Sequence, residues 1–118
     1  GIGMGNEVYM MENTWYSVIA PESCSSILWK TWDYKEQAAS ALKPTAKDLL
    51  ELKVIDGIIP EPLGGAHRDY EKAAEAVKKQ ITKSLKKLSK LKVDKLINQR
   101  VEKYASMGDW EVASEKKA

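Results

Sequence analysis

With a single cysteine, Cys24, and a single histidine, His67, far apart in the chain, this sequence offers no metal-ligand spacing and cannot close an intrachain disulfide. No metal site is expected. Long apolar runs are also missing. Nothing approaches the roughly 18 uninterrupted residues of a membrane helix, and no basic-then-apolar secretory leader is visible. A reducing, cytoplasmic setting and no membrane partner are therefore expected. Internal repeats and low-complexity tracts are absent as well. The opening Gly1-x-Gly3-x-Gly5 has neither the preceding strand nor the third spaced glycine of a dinucleotide loop, so it reads as a close-packed backbone turn. Lacking an initiator Met, it also reads as a cut end.

What is present fits one small unit. A chain of 118 residues with 43% hydrophobic content supports at most one domain with a modest core. The formal net charge of +2 conceals a segregation, because from Lys78 to Lys103 ten Lys or Arg face only Asp94 and Glu102. Lys78, Lys79, Lys83, Lys86, Lys87 and Lys90 could neutralise phosphates. They lack interleaved arginines and aromatics, however, so a solvated helix surface and no nucleic-acid partner are expected. A helical interaction module or a weak nucleic-acid-binding module is the alternative reading.

Glu7 to Met11 and Trp15 to Ile19 are short runs rich in aromatic and β-branched residues, separated by Glu12-Asn-Thr14, and read as a strand hairpin. Pro21 suits the first turn of a helix, where its missing N–H costs nothing, and Glu22 suits the positive end of the dipole. That helix runs through Ser26-Ile-Leu-Trp29. A second covers Tyr34 to Leu42, with a break at Pro44. Thr45 caps a third, answered by Asp48, that runs to about Lys53. Val54 to Ile59 reads as a buried strand, ended by Pro60 and Pro62. From Asp69, apolar residues Tyr70, Ala73, Ala74, Val77, Ile81, Leu85 and Leu88 recur at helical spacing for about five turns. A second stripe, Val93, Leu96, Ile97, Val101 and Tyr104, stops near Gly108, which suits a left-handed C-cap. The two helices are expected to pack as a pair or against another element. Residues 109–118 have no period and read as a frayed, disordered tail.

The chemical inventory is thin. His67 sits in a turn beside Arg68 and reads as a backbone-bonding histidine, because no nucleophile stands at a recognisable spacing from it. Cys24 lies in the first turn of a helix, where a thiolate would be stabilised, and reads as a small packed thiol. Gly64-Gly65 could form a backbone nest for an anion or substrate oxygen, or could simply supply positive φ in the turn.

Three stretches carry a resemblance: Ile58-Ile-Pro-Glu-Pro-Leu-Gly-Gly-Ala-His-Arg68, Tyr16-Ser-Val-Ile-Ala-Pro-Glu22 and Ser26-Ile-Leu-Trp-Lys30. In order and spacing they resemble the carboxyltransferase alpha subunit of the multisubunit, bacterial and plastid type of acetyl-CoA carboxylase, from Gly3 to about Gly108. The resemblance implies an α/β fold, the C-terminal part of a crotonase-like ββα spiral followed by two long C-terminal helices. Residues 1–68 would be the last ββα-type unit of a carboxyltransferase domain and 69–108 a C-terminal helical pair. In such a spiral, successive strands enter different sheets, so the strands before Pro21 would not form the hairpin.

The same resemblance implies transfer of a carboxyl group from carboxybiotin, presented by a biotin carboxyl carrier protein, to acetyl-CoA, giving malonyl-CoA for fatty-acid synthesis. No cofactor would be bound covalently. A beta subunit would be the partner in an alpha2beta2 assembly, in the cytoplasm or, for a plant source, the plastid stroma. Negative charge developing on the enolate and the ureido oxygen would be met by backbone N–H donors. The paired oxyanion glycines fall just upstream of Gly1, so no catalytic residue is assigned and the chain alone is expected to be inactive. Gly3, Gly5, Pro21, Glu22, Gly64, Gly65, His67 and Arg68 are implied as substrate-binding supports. Ser23, where many members have glycine, and Pro44, where some have a bulkier residue, depart from the pattern.

Overall fold

A computed structural model describes residues 2–108, and the tail expected at 109–118 lies outside them. After a short 3-10 turn at Ile2–Met4 the chain is mixed α/β. Strand β1 is Tyr9–Met11. Helices α1 (Pro21–Trp29), α2 (Lys35–Leu42) and α3 (Ala46–Glu51) follow, then strand β2 (Gly57–Ile59) and the long helices α4 (Tyr70–Leu88) and α5 (Val93–Ala105).

The hairpin read from local residues is absent, as the family resemblance implies. β1 pairs in parallel with β2, Tyr9 opposite Gly57 and Met11 opposite Ile59. Residues 15–19 form no strand; Trp15 makes only an isolated antiparallel bridge to Thr45. Parallel strands need a crossover, and the three helices between β1 and β2 supply it. The second strand is also shorter than the run from Val54 suggests. Lys53 takes a left-handed φ of 58°, and Val54 N–H and Ile55 N–H both turn back to Leu49 O. The chain therefore becomes extended only at Gly57. Gly57 itself lies against Tyr9, whose ring atoms stand 2.9 Å from where a Cβ would sit.

Local chemistry explains the helix starts. Pro21 occupies the first turn of α1, which starts behind an uncapped Ala20. Thr45 Oγ1 accepts from Asp48 N–H at 3.4 Å and donates to Asp48 Oδ2 at 2.6 Å, so the capping pair is as the sequence predicts. The helix it starts closes at Leu52, slightly before Lys53. Replacing Thr45 with Ala should lower the unfolding free energy by about 1 kcal/mol, since an orphan helix N–H loses its acceptor. Chemical denaturation of the two proteins measures it, and an unchanged midpoint would count against the cap. Asp69 caps α4, accepting from Lys72 N–H at 3.0 Å. Gly108 does have positive φ, 81°, but α5 ends earlier, at a right-handed Ser106.

The core is small. Met10, Ala46, Leu49 and Ile55 form it, with Val8, Val54 and Ile58 packed alongside. Ser25 is the buried polar side chain, and its hydroxyl donates to Thr31 O at 2.6 Å, closing the turn after α1 against its own helix. Much apolar surface stays open, including Trp15, Val18, Ile27, Leu28 and Trp32.

The two long helices reach the body by different routes. Helix α4 packs against β2; its Ala73 is buried and Val77 and Leu88 half-buried, while Tyr70, Ile81 and Leu85 remain exposed. Lys87 on this helix pairs with Glu7 at 2.6 Å. Burial opposes ionisation of Glu7, but hydrogen bonds from Lys87, Ser84 and Tyr9 together with the Lys87 charge outweigh it and hold the carboxyl below its ordinary range. Helix α5 instead grips the segments before both strands: Asn6 Nδ2 donates to Leu96 O at 2.6 Å and Lys103 pairs with Asp56 at 2.5 Å. The same Asp56 carboxylate accepts from Val8 N–H at 2.6 Å, so one side chain joins β1, the start of β2 and α5.

Candidate functional site

The residues implied as substrate-binding supports fall in three places. Gly3 and Gly5 lie beneath α5, where the Tyr104 hydroxyl meets Gly3 O and Gly5 O, the latter at 3.1 Å. A Cβ on Gly3 would overlap the Tyr16 hydroxyl, the outer end of an exposed side chain that would have to move aside. Pro21 and Glu22 line an open hollow of about 360 Å³ together with Trp15, Val18, Leu42 and Pro44. Its shape is set by the turn of the chain, in which Tyr16 N–H donates to Pro44 O at 3.1 Å. The departure from pattern at Pro44 is thus a wall of this hollow. Ser23 is exposed on α1 beside it.

Gly64, Gly65 and His67 line a larger hollow, about 730 Å³, whose other wall is Glu12, Asn13 and Thr14. Both glycines have positive φ, 89° and 95°, a region that costs other residues about 1 to 2 kcal/mol. Space is short as well: a Cβ on Gly65 would stand 3.1 Å from the His67 ring, and one on Gly64 3.2 Å from Arg68 Cγ. Of the two readings of this glycine pair, the conformational one accounts for the geometry. Gly65 N–H donates to Pro62 O at 2.9 Å and Ala66 N–H to Glu61 Oε2 at 3.0 Å, so these two amides are engaged inside the loop. His67 and Arg68 are exposed. Neither of the two hollows is lined by members of more than one of the three groups.

Glu61 was not singled out from the sequence, yet it organises the larger hollow. Its Oε1 accepts from Asn13 N–H at 3.0 Å, and its Oε2 accepts from Asn13 Nδ2 at 3.1 Å and from Ala66 N–H. Hydrogen bonds from the Asn13 backbone and side chain, followed by that from Ala66 and the nearby His67 charge, hold the Glu61 carboxyl below its usual range despite a smaller opposing effect of desolvation. The signal in the sequence was a carboxylate placed between two prolines beside paired glycines; only its partner 48 positions upstream was invisible. Cys24 is half-buried in α1. Among the described residues, no cluster of His, Cys, Asp and Glu could hold a metal ion, and no helix is long and apolar enough to cross a membrane.

The family model described as acetyl co-enzyme A carboxylase carboxyltransferase-like matches residues 1–108. The chain belongs to this carboxyltransferase family. Among its relatives, the acetyl-coenzyme A carboxylase carboxyl transferase subunit alpha of Chlorobium phaeobacteroides (strain BS1) is 61% identical over 110 residues, 93% of this chain and 33% of the relative. The protein of the same name from Flavobacterium johnsoniae is 57% identical over 110 residues, 93% of this chain and 35% of its own length. The chain thus spans about a third of the length of these carboxyltransferase relatives. All three places described above lie inside the matched region.

Proposed function

We propose that the chain is the C-terminal part of a carboxyltransferase alpha subunit that moves a carboxyl group from carboxybiotin on a carrier protein to acetyl-CoA, giving malonyl-CoA for fatty-acid synthesis. The observation that carries this reading is the family match across residues 1–108. Its partners are then a beta subunit and a biotin carboxyl carrier protein, in an alpha2beta2 assembly, with no covalently bound cofactor and a cytoplasmic or plastid setting. In fold, residues 1–68 form the last unit of a crotonase-like ββα spiral, and 69–108 its C-terminal helices. The parallel pairing of β1 with β2 across a helical crossover supports that architecture. The loop at Gly64-Gly65 and the Pro21-Glu22 helix start act as supports for substrate and carrier rather than as catalysts, since the chemistry rests on backbone donors. Carrying this sequence within a full-length alpha subunit, combined with beta subunit and carboxybiotin carrier, should give malonyl-CoA. Loss of product with an assembled complex would overturn the reading.

Basic helices do not make the chain a nucleic-acid module in this reading. The face of α4 around Lys78, Lys79, Lys83 and Lys86 is completed by Glu75 and Thr82, with no aromatic for base stacking. Binding of DNA or RNA near physiological salt should be no tighter than the roughly 10⁻⁴ to 10⁻⁶ M nonspecific range. Replacing Lys79, Lys83 and Lys86 with Gln should leave assembly with the beta subunit intact. Submicromolar affinity in a fluorescence assay, abolished by those replacements, would displace the carboxyltransferase reading.

A further inference from the structure

We propose that Glu61 is the positioning residue of the larger hollow: its single carboxylate ties the Asn13 turn to the Gly64-Gly65 loop and so sets the distance between the two walls. This role rests on the carboxyltransferase reading for its consequence in turnover, but on geometry alone for the tie.

The base of the loop is fixed by the end of the β1–β2 ladder, where Glu12 N–H donates to Ile59 O at 3.0 Å, but beyond it the loop has little else to hold it. Leu63 at its tip is fully exposed, at 102% of its reference area, so no apolar anchor fixes the apex. The bonds from Gly65 N–H to Pro62 O and from Arg68 N–H to Gly65 O are local and shape the turn without placing it. Three donors converge on Glu61, two from Asn13 and one from Ala66. Pro60 and Pro62 restrict the backbone on either side, so little conformational freedom is lost in aiming the side chain. The titratable neighbours pull in opposite senses. Glu12 Oε2 accepts from Glu61 N–H at 3.5 Å and places a like charge nearby, whereas His67 favours the carboxylate. Hydrogen bonding therefore decides where the group sits.

Glu61→Gln is the informative variant because it keeps the size and breaks the pattern. Its amide carries one acceptor and one donor group, so whichever way it turns, an NH₂ faces an N–H of Asn13 or Ala66. In a full-length alpha subunit carrying this sequence and assembled with its beta subunit, Glu61→Gln should lower kcat/KM by about 10- to 100-fold, the scale of a misplaced positioning element. The melting temperature and the amount of complex should stay unchanged. Adding Asn13→Ala to Glu61→Gln should cause no further loss. In the same protein, hydrogen exchange at the Ala66 and Asn13 amides should quicken. Unchanged kcat/KM at equal assembled protein would overturn the positioning role. If the unsubstituted complex made no malonyl-CoA, the carboxyltransferase reading would fall, and amide exchange would still decide the tie: unchanged exchange at Ala66 and Asn13 in Glu61→Gln would overturn it.

Discussion

Mixed with beta subunit and carboxybiotin carrier, the 118-residue chain should form malonyl-CoA at least about 100- to 1,000-fold more slowly than an intact alpha–beta enzyme, the loss that follows from removing one oxyanion donor. The reason is the accounting of backbone donors. Carboxyl transfer builds negative charge on an enolate and a ureido oxygen, and a protein lowers that barrier with N–H groups already aimed at those atoms. Here the amides of Gly65 and Ala66, in the loop that most invites such a role, are bonded within the loop. In the proposed reading the remaining donors come from the two-thirds of the relatives' length that this chain does not span. A radiolabelled carboxylation assay decides the matter. Turnover by the chain alone approaching that of the intact enzyme would mean that a sufficient donor set lies within these residues.

Truncating Leu49 to Ala should abolish the folded state of the isolated chain rather than weaken it. Leu49 is 7% exposed and belongs, with Met10, Ala46 and Ile55, to the buried cluster at the centre of the described residues. A buried Leu→Ala change costs about 2 to 5 kcal/mol through lost transfer energy and the cavity left behind. Native domains are stable by only about 5 to 15 kcal/mol, and with a buried cluster this small one truncation removes a large share of the margin. Far-UV circular dichroism during heating should show a cooperative transition for the parent chain and none for the variant. A transition lowered by only a few degrees would show that stability resides outside this cluster, for instance in the ion pairs that fasten α4 and α5.

Features governed by neighbouring residues were legible in the sequence. The fixed φ of Pro21 suits a first helical turn, Thr45 and Asp48 form their cap within one turn, and the apolar spacing from Tyr70 to Leu88 describes a helix of the observed length. The left-handed conformations of Gly64 and Gly65 belong with these, since two adjacent glycines after Pro62 leave few alternatives. All rest on forces acting over at most a few residues of chain.

Tertiary structure alone decided which strand pairs with which. The aromatic and β-branched content of Glu7 to Met11 marks that run as extended but carries no address for its partner, and the nearest candidate, residues 15–19, loses to β2 more than forty residues away. The helices α1 to α3 make a parallel crossover possible, and Met10, packed with Leu49 and Ile55, rewards it. The same limit hid the polar ties. Glu61 meets Asn13, Asp56 meets Lys103, and Tyr104 meets Gly3 and Gly5 across separations of 47 to 101 residues. A hydrogen bond at such separation depends on where the whole chain brings two groups. Local sequence therefore determined the helices and the turn that shapes the larger hollow, while burial of one small core determined which extended runs became strands and how the elements meet.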